Sequence, residues 1–331
     1  MKSLPLTILL AGLALGTVAF AGNDDKKLVI PSTPHGDFWQ FKLSLPGWIP
    51  WVDGHSSLHG FTSNIDLGPN NIIPKLDMTA DIRAEAHRGR FSMMGEYLYM
   101  SLSDGKATDT IVKKVDVRFD QTMVDLGMAW RLLESKRGYL DVIGGARYMS
   151  YYQKTTRQAN DERITDNLDE LAAATGSRLR RLVQRALAPL ADRNPTLPIA
   201  PLGADEIART ARAIARIRGT GDERRARIAR RLEDTINRTV SRADDWVDPY
   251  VGLHGRYNLN TAFYLTAKGD IGGFSVGSDV TWTTEAAIGW QISSHIFAEV
   301  AYRALGVDFS KNGLVIDTVT HGPQISLGTN F

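Results

Sequence analysis

The chain of 331 residues contains no cysteine, which rules out a disulfide framework and a lipoprotein anchor. It also lacks a long hydrophobic run beyond residues 4–20, and no other stretch approaches the roughly 18 apolar residues that a spanning helix needs. The formal net charge of +2 is too small to indicate a nucleic-acid partner. A chain of this composition enters a bilayer only with strands, and the alternative is a soluble periplasmic protein.

Aromatic residues and lysine are absent from residues 157–245, although the chain as a whole has 7 Trp, 10 Tyr and 11 Phe. This segment is instead rich in Arg, Ala and acidic residues, and its apolar residues recur mostly at three- and four-residue spacing. Pro and Gly interrupt the pattern. We therefore predict three or four helices over about 159–187, 204–218 and 222–243, inserted into a β-protein.

The amino terminus has the parts of a secretory signal. Lys2 gives the positive charge, residues 4–20 form the apolar run, and Ala19-Phe20-Ala21 is a small-x-small cleavage site. We predict cleavage after Ala21, so that the mature chain is exported. An uncleaved membrane anchor is the alternative.

The flanking regions alternate apolar and polar residues and are divided by turn signals. Strands are predicted at 38–52, 75–87, 90–103, 114–132, 137–153, 247–257, 261–271, 279–292, 295–308 and 318–331. Short connections follow every second strand, and longer or Gly-rich ones follow the others, which is typical of an up-and-down membrane barrel. We predict an antiparallel barrel of about ten strands, with eight or twelve as alternatives because Pro46-Gly47 and Pro50 disturb the first region.

The charges predict which face of each strand looks inward, because a Lys or Arg facing lipid at mid-depth costs about 2–4 kcal/mol. On the fourth predicted strand, for example, Leu126 and Met128 point outward while Asp125 points inward. The inward residues carry both signs, and they are Asp81, Arg83, Glu85, Glu96, Asp125, Arg131, Asp141, Arg147, Arg256, Lys268, Glu285, Glu299 and Arg303. In a lumen as narrow as ten strands enclose, we expect these groups to form a plugging polar network. A narrow, selective pore is the alternative.

The last residues read His321-Gly322-Pro323-Gln324-Ile325-Ser326-Leu327-Gly328-Thr329-Asn330-Phe331. This alternating strand with a terminal aromatic resembles the last strand of Gram-negative outer-membrane β-barrels. The resemblance implies that Phe331 is an assembly signal read by the barrel assembly machinery, and that the protein resides in the cell outer membrane among its lipids.

Four further segments resemble a family of small exported barrels with no assigned activity. They are the Gly-rich run 269–279, the Trp246-Val247-Asp248-Pro249-Tyr250-Val251-Gly252 segment, Tyr302-Arg303-Ala304-Leu305 and His321-Gly322-Pro323. The resemblance covers about 75–153 and 246–331 but not the insertion. The Gly-rich run superficially resembles a phosphate-binding loop, but a strand rather than a helix follows it, so we predict a tight surface loop.

Acidic residues and histidines near the predicted outer rim allow a catalytic alternative. Small barrels that act as omptin-like or lipid-modifying surface hydrolases place such groups there, and Asp53 with His55, or Asp245 with Asp248, lie at a suitable height. Nothing else in the sequence supports catalysis, and we predict no catalytic residues and no cofactor. His55 and His59 would need a third ligand to hold a metal ion, so we predict no metal site either.

Arginines concentrate on the last predicted helix at Arg224, Arg225, Arg227, Arg230 and Arg231. Arginine pairs bidentately with phosphate, which suits the phosphorylated lipopolysaccharide outside the cell. The alternative is a solvated helix whose Arg and acidic side chains pair with one another.

These observations predict a signal peptide at 1–21, a periplasmic tail at 22–37, a transmembrane barrel formed by 38–156 and 246–331, and a helical insertion at 157–245. The predicted role is structural or surface-interacting. A narrow solute or ion channel and a surface hydrolase are the alternatives, and the oligomeric state stays open.

Overall fold

The computed structural model describes residues 38–58, 61–107, 111–174, 176–187, 204–311 and 314–331. The predicted signal peptide, its cleavage site at Ala21 and the predicted tail at 22–37 lie outside the described residues.

Antiparallel β-strands make up most of the described chain. Their bounds are β1 Gln40–Trp48, β2 Trp51–Leu58, β3 Phe61–Leu67, β4 Leu76–Arg88, β5 Phe91–Ala107, β6 Val112–Ser135, β7 Gly138–Ala159, β8 Thr239–Asn258, β9 Phe263–Gly273, β10 Val280–Gln291, β11 Ile296–Lys311 and β12 Leu314–Asn330. The alternation of apolar and polar residues identified each predicted strand. The observed strands, particularly β7, β8 and β11, extend beyond the predicted bounds at the end of the barrel opposite the short turns.

The sheet closes as a ten-stranded barrel in the order β1-β4-β5-β6-β7-β8-β9-β10-β11-β12, with β12 paired back to β1. The closing seam runs from Lys42↔Asn330 to Trp48↔Gln324. The backbone of Phe331 continues this seam, since its N–H donates to Phe41 O at 2.9 Å. The predicted count of ten strands is therefore confirmed for the closed ring.

Two additional strands lie at one end of the barrel. β2 continues the pairing of β1 along β12 in the same register, from Trp51↔His321 to Leu58↔Leu314, after a break at Ile49-Pro50. Proline lacks the N–H that a continuous ladder needs, which explains the break. The predicted strand 38–52 is thus two strands, and the prediction missed β3, which folds back on β2. A short helix, α1 (Pro69–Ile72), and a 3₁₀ turn then lead into β4.

Short connections occupy the opposite end of the barrel, as predicted. Gly89-Arg90 joins β4 to β5, Lys136-Arg137 joins β6 to β7, and residues 259–262 and 292–295 form the other two. We expected a long connection between β11 and β12, but the strands extend until only residues 312 and 313 separate them. We refer to the end with the short turns as the inner end and to the other as the outer end.

Among the described residues between β7 and β8, the chain forms four helices: α2 Asp161–Ala173, α3 Gly176–Leu187, α4 Ala204–Ala215 and α5 Gly221–Ile236. The predicted helix 159–187 is two helices, because Ala174 adopts an extended conformation. The predicted helix 222–243 ends at Ile236, because β8 already begins at Thr239. Asn160 caps α2 through its side-chain oxygen, which accepts from Arg163 N at 3.3 Å.

A hydrophobic core joins these helices to the outer end of β6. The periodic residues of the sequence form its helical half, and Ile111, Val112, Val115 and Val117 form the other half. The fully buried helical members include Leu179, Leu187, Ile214, Ile228 and Leu232. Since an amphipathic helix gains most of its stability from packing, this strand surface is what holds the helices in place.

Candidate functional site: the barrel interior

In the half of the barrel nearer the inner end, apolar side chains point outward and polar side chains point inward, in alternation along each strand. On β6 the side chain of Leu126 is 63% exposed and that of Asp125 is 4% exposed. Ile288 on β10 and Val300 on β11 are likewise exposed on the outer surface. Exposed aromatic residues mark the inner edge of this apolar surface, as Trp130, Tyr257 and Trp290 show. A band of this kind is favourable only against lipid.

In the half nearer the outer end, the polarity of the two faces is reversed. Further along β6, Lys114, Asp116 and Arg118 point outward, while Val115 and Val117 are buried inside. The apolar outer surface on β6 is confined to about residues 122–132, which is close to the 9–11 residues of a spanning strand. Beyond this band, toward the outer end, the wall has polar side chains outside and apolar side chains inside, as in a soluble β-protein. The chain is a membrane-spanning β-barrel of the outer-membrane type.

All of the predicted inward-facing charged residues do face the lumen. Arg147, fully buried, is the centre of one cluster, since its Nη2 donates to Asp125 Oδ2 at 2.9 Å and to Asp270 Oδ1 at 3.0 Å. The Tyr250 hydroxyl donates to the other Asp125 oxygen at 2.5 Å, and the Thr283 hydroxyl donates to Asp270. Each carboxylate therefore has both a cation and a neutral donor.

A second cluster lies beside the first. Arg83 bonds to Glu285 at 2.9 Å and lies 3.3 Å from Glu96, which also accepts from Arg303. Arg303 lies 3.6 Å from Asp81.

Two further pairs complete this charged layer. Lys42 Nζ pairs with Glu299 at 3.2 Å, and Glu299 also accepts from the Tyr264 hydroxyl at 2.8 Å. Nearer the inner end, Arg131 Nε donates to Asp141 at 2.9 Å.

Of the other predicted lumen residues, Lys268 lies beside these clusters, Arg256 lines the space below them, and Glu85 lines both. The prediction missed Lys42 and Asp270. Both were detectable, because Lys42 alternates with Phe41 and Leu43, and Asp270 is two residues beyond Lys268 on the same strand. Asp270 was assigned to the Gly-rich loop instead. Tyr250 and Tyr264 carried no signal as lumen residues, because aromatic residues are also typical of the outer surface.

A hydrophobic layer closes the lumen above the charges. Each of several members lies two positions from a charged residue on the same strand, on the side toward the outer end. Met123 lies next to Asp125 in this way, Met149 next to Arg147 and Leu305 next to Arg303. The rings of Trp246 and Phe309 stack across the layer with centroids 4.0 Å apart, and Tyr151 stacks on Trp246. Charged and apolar layers thus lie in series across the same lumen.

The second part of the Gly-rich run, residues 274–279, forms the loop between β9 and β10. The buried Asp248 accepts from Trp246 Nε1 at 2.9 Å, from Ser278 N at 2.7 Å and from Ser278 Oγ at 2.8 Å. A Cβ on Gly277 would lie 2.5 Å from Asp248 Oδ1, so only glycine fits there. The predicted loop is shorter than expected, because residues 269–273 belong to β9, and the small residues after them let residues 274–279 pack onto β8.

The acid and histidine pairs at the outer rim differ from those considered from the sequence. Asp53 pairs with His321 (Oδ2 to Nε2, 2.9 Å) rather than with His55, and His55 lies 3.6 Å from Asp317. His55 lies directly opposite Asp317, and His321 is the diagonal neighbour of Asp53 across the β2–β12 pair, a position within reach of its long side chain.

The remaining candidates do not converge on one site. Asp245 is exposed and Asp248 is buried, because their numbers differ by three and the chain alternates sides. The Tyr302 hydroxyl and His321 Nδ1 are 2.6 Å apart on the outer surface. His59 lies outside the described residues. Among the described residues, no three His, Cys, Asp or Glu side chains are arranged to hold a metal ion.

Several arginines of α5 bond within the helical segment. Arg224 donates to Ala174 O at 2.9 Å, and Arg225 pairs with Asp169 and Asp222. Arg227 pairs with Glu223 at 2.9 Å. These contacts follow the pairing alternative. Arg230 and Arg231 are exposed, and the predicted phosphate contact therefore depends on these two residues.

Comparison with known proteins finds similarity only among solved structures. No family model matches the chain, and no curated protein matches it. Among solved structures, the outer membrane protease OmpT from Escherichia coli is similar with a TM-score of 0.47 and 11% identity, over 89% of this chain and 97% of that chain. Ail, the attachment invasion locus protein of Yersinia pestis, gives 0.32 and 8% over 88% and 99%.

The P. putida toluene transporter TodX gives a TM-score of 0.29 and 11% identity, over 92% of both chains. At these values the similarities carry no argument about function, and the conclusions rest on the geometry of this chain. Within the part of the chain that the structure describes, no helix is both long and apolar enough to cross a membrane.

Proposed function

We propose that this protein is a non-conducting barrel of the Gram-negative outer membrane that holds the helices between β7 and β8 at the membrane surface. The observation that carries the proposal is the pair of layers that fill the lumen. A charged layer built from Arg83, Arg147 and Arg303 and their carboxylates lies below an apolar layer around Trp246 and Phe309. An ion crossing the lumen would have to break the first layer and shed its water in the second.

Conductance across a planar bilayer tests this proposal. Wild-type protein should insert without producing current steps above those of the empty bilayer. A variant with Trp246→Ala, Phe309→Ala and Arg303→Ala removes side chains from both layers and should leak, which shows that insertion is detected. Regular current steps from the wild type would instead favour the narrow channel.

The surface-interaction part of the proposal rests on the charge of the helices. Besides Arg230 and Arg231, α3 exposes Arg178, Arg180, Arg181 and Arg185. Guanidinium groups match phosphate oxygens in pairs, so this surface suits the phosphates of lipopolysaccharide. We place the helices outside the cell, because β1 begins at the inner end and the predicted tail at 22–37 before it is periplasmic.

Binding of the full chain to immobilised lipopolysaccharide tests this contact. Arg230→Gln with Arg231→Gln should weaken binding several-fold, and dephosphorylated lipopolysaccharide should bind wild type and variant equally weakly. Arg118→Gln is the matched control, because Arg118 is exposed on β6 and pairs with Asp120. Equal losses in the variant and the control would contradict a specific contact.

The surface-hydrolase alternative has its own test. If the outer rim were catalytic, Asp53→Asn or His321→Ala would abolish hydrolysis of a peptide or lipid substrate by intact cells. We propose that these residues instead anchor the barrel at the membrane edge, since His321 contacts Trp51 and Tyr302 on the outer surface.

A further inference from the structure

The inner end of the lumen is an open cavity of about 970 Å³. Trp39, Phe41 and Phe331 lie at its mouth, and His254 lies at its upper end, beneath the charged layer. A volume of this size is in the range of pockets that hold small molecules. We call this space the vestibule.

The vestibule is lined by five Lys or Arg side chains and two Glu. A row of four polar residues, three basic and one acidic, crosses the β6–β9 wall at the upper end of the vestibule. Arg131 is in register with Asp141, which is in register with His254, and His254 is in register with Lys268. One pair lower, Arg256 lies opposite Thr266. Inward-facing neighbours on paired strands are about 5 Å apart, so these donors converge on one region.

Two buried polar atoms on this wall have no hydrogen-bond partner in the described protein. Arg131 is 4% exposed, and Asp141 occupies its Nε and Nη2, but Nη1 has no hydrogen-bond partner. His254 Nδ1 is also buried without a partner. Buried polar groups are nearly always satisfied, so Arg131 Nη1 calls for an acceptor and His254 Nδ1 for a hydrogen-bond partner.

Arg256 points to the same conclusion. Its Nε donates to the neutral Asn258 Oδ1 at 3.0 Å, and its guanidinium lies 3.6 Å from the Tyr264 ring centroid. Stacking on the ring holds the guanidinium plane in place, and a planar fork held in this way is suited to an oxyanion.

We propose that the vestibule is a binding site, open to the periplasm, for a small organic phosphate. Arg256 and Arg131 supply the charged donors, and His254 and Thr266 supply neutral ones. A phosphate group has enough acceptor oxygens to meet donors from several directions, and the cavity leaves room for an organic part toward its open mouth.

Isothermal titration calorimetry of the full chain in a maltoside detergent tests the proposal, with glycerol 3-phosphate as the probe and glycerol as its uncharged counterpart. Wild-type protein should bind glycerol 3-phosphate and not glycerol. Arg256→Gln should weaken binding about tenfold or more, the usual loss for a charge-assisted hydrogen bond. Thr266→Val, which removes the neutral donor opposite Arg256, is a second variant in case the first fails to fold, and it should also weaken binding.

The matched control is Arg137→Gln. Arg137 lies in the adjacent turn at the same end, but its Nη1 donates to the Tyr257 hydroxyl outside the vestibule. It should bind like the wild type, and all proteins should migrate as folded barrels on unboiled gels. The absence of binding by folded wild type at millimolar probe, or an equal loss in Arg137→Gln, would overturn the proposal.

Discussion

The contribution of a charged residue to stability in this protein depends on which face of its strand the residue occupies. Arg147 is fully buried and holds two carboxylates, whereas Arg118 on β6 pairs with Asp120 on the wet outer surface. The two arginines have the same chemistry and different surroundings. Removing one partner of a buried pair leaves an uncompensated charge, but removing an exposed one exchanges it for water.

Arg147→Gln should destabilise the folded barrel by about 3–5 kcal/mol, because Asp125 and Asp270 lose their shared cation. Urea unfolding in lipid vesicles, followed by Trp fluorescence, measures the loss. Arg118→Gln serves as the control and should leave the midpoint nearly unchanged. Similar shifts for both variants would show that Arg147 is hydrated.

Ile288→Arg should block assembly, because it places a charge in lipid at a cost of about 2–4 kcal/mol at mid-depth. Ile288 is 59% exposed on the outer face. Glu285→Gln, three residues earlier and inward, keeps an oxygen acceptor for Arg83 and should still assemble. Heat-modifiable migration of membrane fractions distinguishes them, and identical behaviour would mean that the faces are wrongly assigned.

At the scale of the elements, the strands continue beyond the membrane and carry the other structures. β7 and β8 stay paired up to Thr156↔Thr239, and the four helices leave from this strand pair and pack back on β6. The predicted boundaries at 157 and 245 fall inside the strands, since β7 runs to Ala159 and β8 begins at Thr239.

A variant in which a short Gly/Ser link replaces residues 160–238 should still form a heat-modifiable barrel. The strand ends that it joins are adjacent, so closing the loop is inexpensive in entropy. The helical circular-dichroism signal should fall strongly, and the uncovered Val112, Val115 and Val117 should increase binding of a hydrophobic dye. The same link with Val115→Thr and Val117→Thr is the control for the dye. Loss of the barrel itself would show that the helices are needed for folding.

The outer part of the β11–β12 hairpin should lose stability as the pH rises. Burial and the nearby charges of Asp317 and Asp279 raise the pKa of Asp308, against the opposing effect of His55. The folded state therefore holds this proton more tightly than the unfolded chain, and stability falls from the ordinary Asp range near about 4 up through the raised pKa.

Hydrogen exchange of the amides near Val307 between pH 4 and 7, corrected for intrinsic rates, measures this effect. Asp317→Asn removes the charge directly opposite Asp308 and should flatten the pH dependence. Asp116→Asn, on an outward face where Asp116 pairs with Lys114, is the control and should not. Equal slopes for wild type and Asp317→Asn would contradict the assignment.

The whole molecule is a stack of layers along one axis. From the inner end these are the open vestibule, the charged layer, the apolar layer and a hydrophobic core shared with the helices. The apolar outer surface surrounds the lower layers only. The helices therefore lie beyond the membrane, at the end opposite the short turns.

Protease added to intact cells should cut within residues 160–238, where trypsin sites are numerous, and leave the barrel whole. Immunoblotting with antibodies against the barrel shows whether a shortened product appears. A periplasmic protein serves as the control for intact outer membranes. Cleavage seen only after permeabilisation would place the helices in the periplasm and remove the basis for contact with lipopolysaccharide.

Much of the architecture was determined by the sequence alone, because it depends on local pattern. Period two identified the strands and the inward Asp125 and Arg147, and the loss of aromatics and the change to helical spacing identified the segment between β7 and β8. Each of these signals is a property of neighbours in the chain, and each is enforced by the cost of facing a charge toward lipid or leaving an apolar residue in water.

Only the tertiary structure decided which residues meet. The partners Arg303 and Glu96 are 207 residues apart, and Asp53 pairs with His321 across the seam rather than with His55. Such pairs depend on strand order, register and closure, none of which leaves a local trace. The β3 strand, the two closing layers and the vestibule arise in the same way, because a cavity or a plug is formed by side chains from many strands at one height.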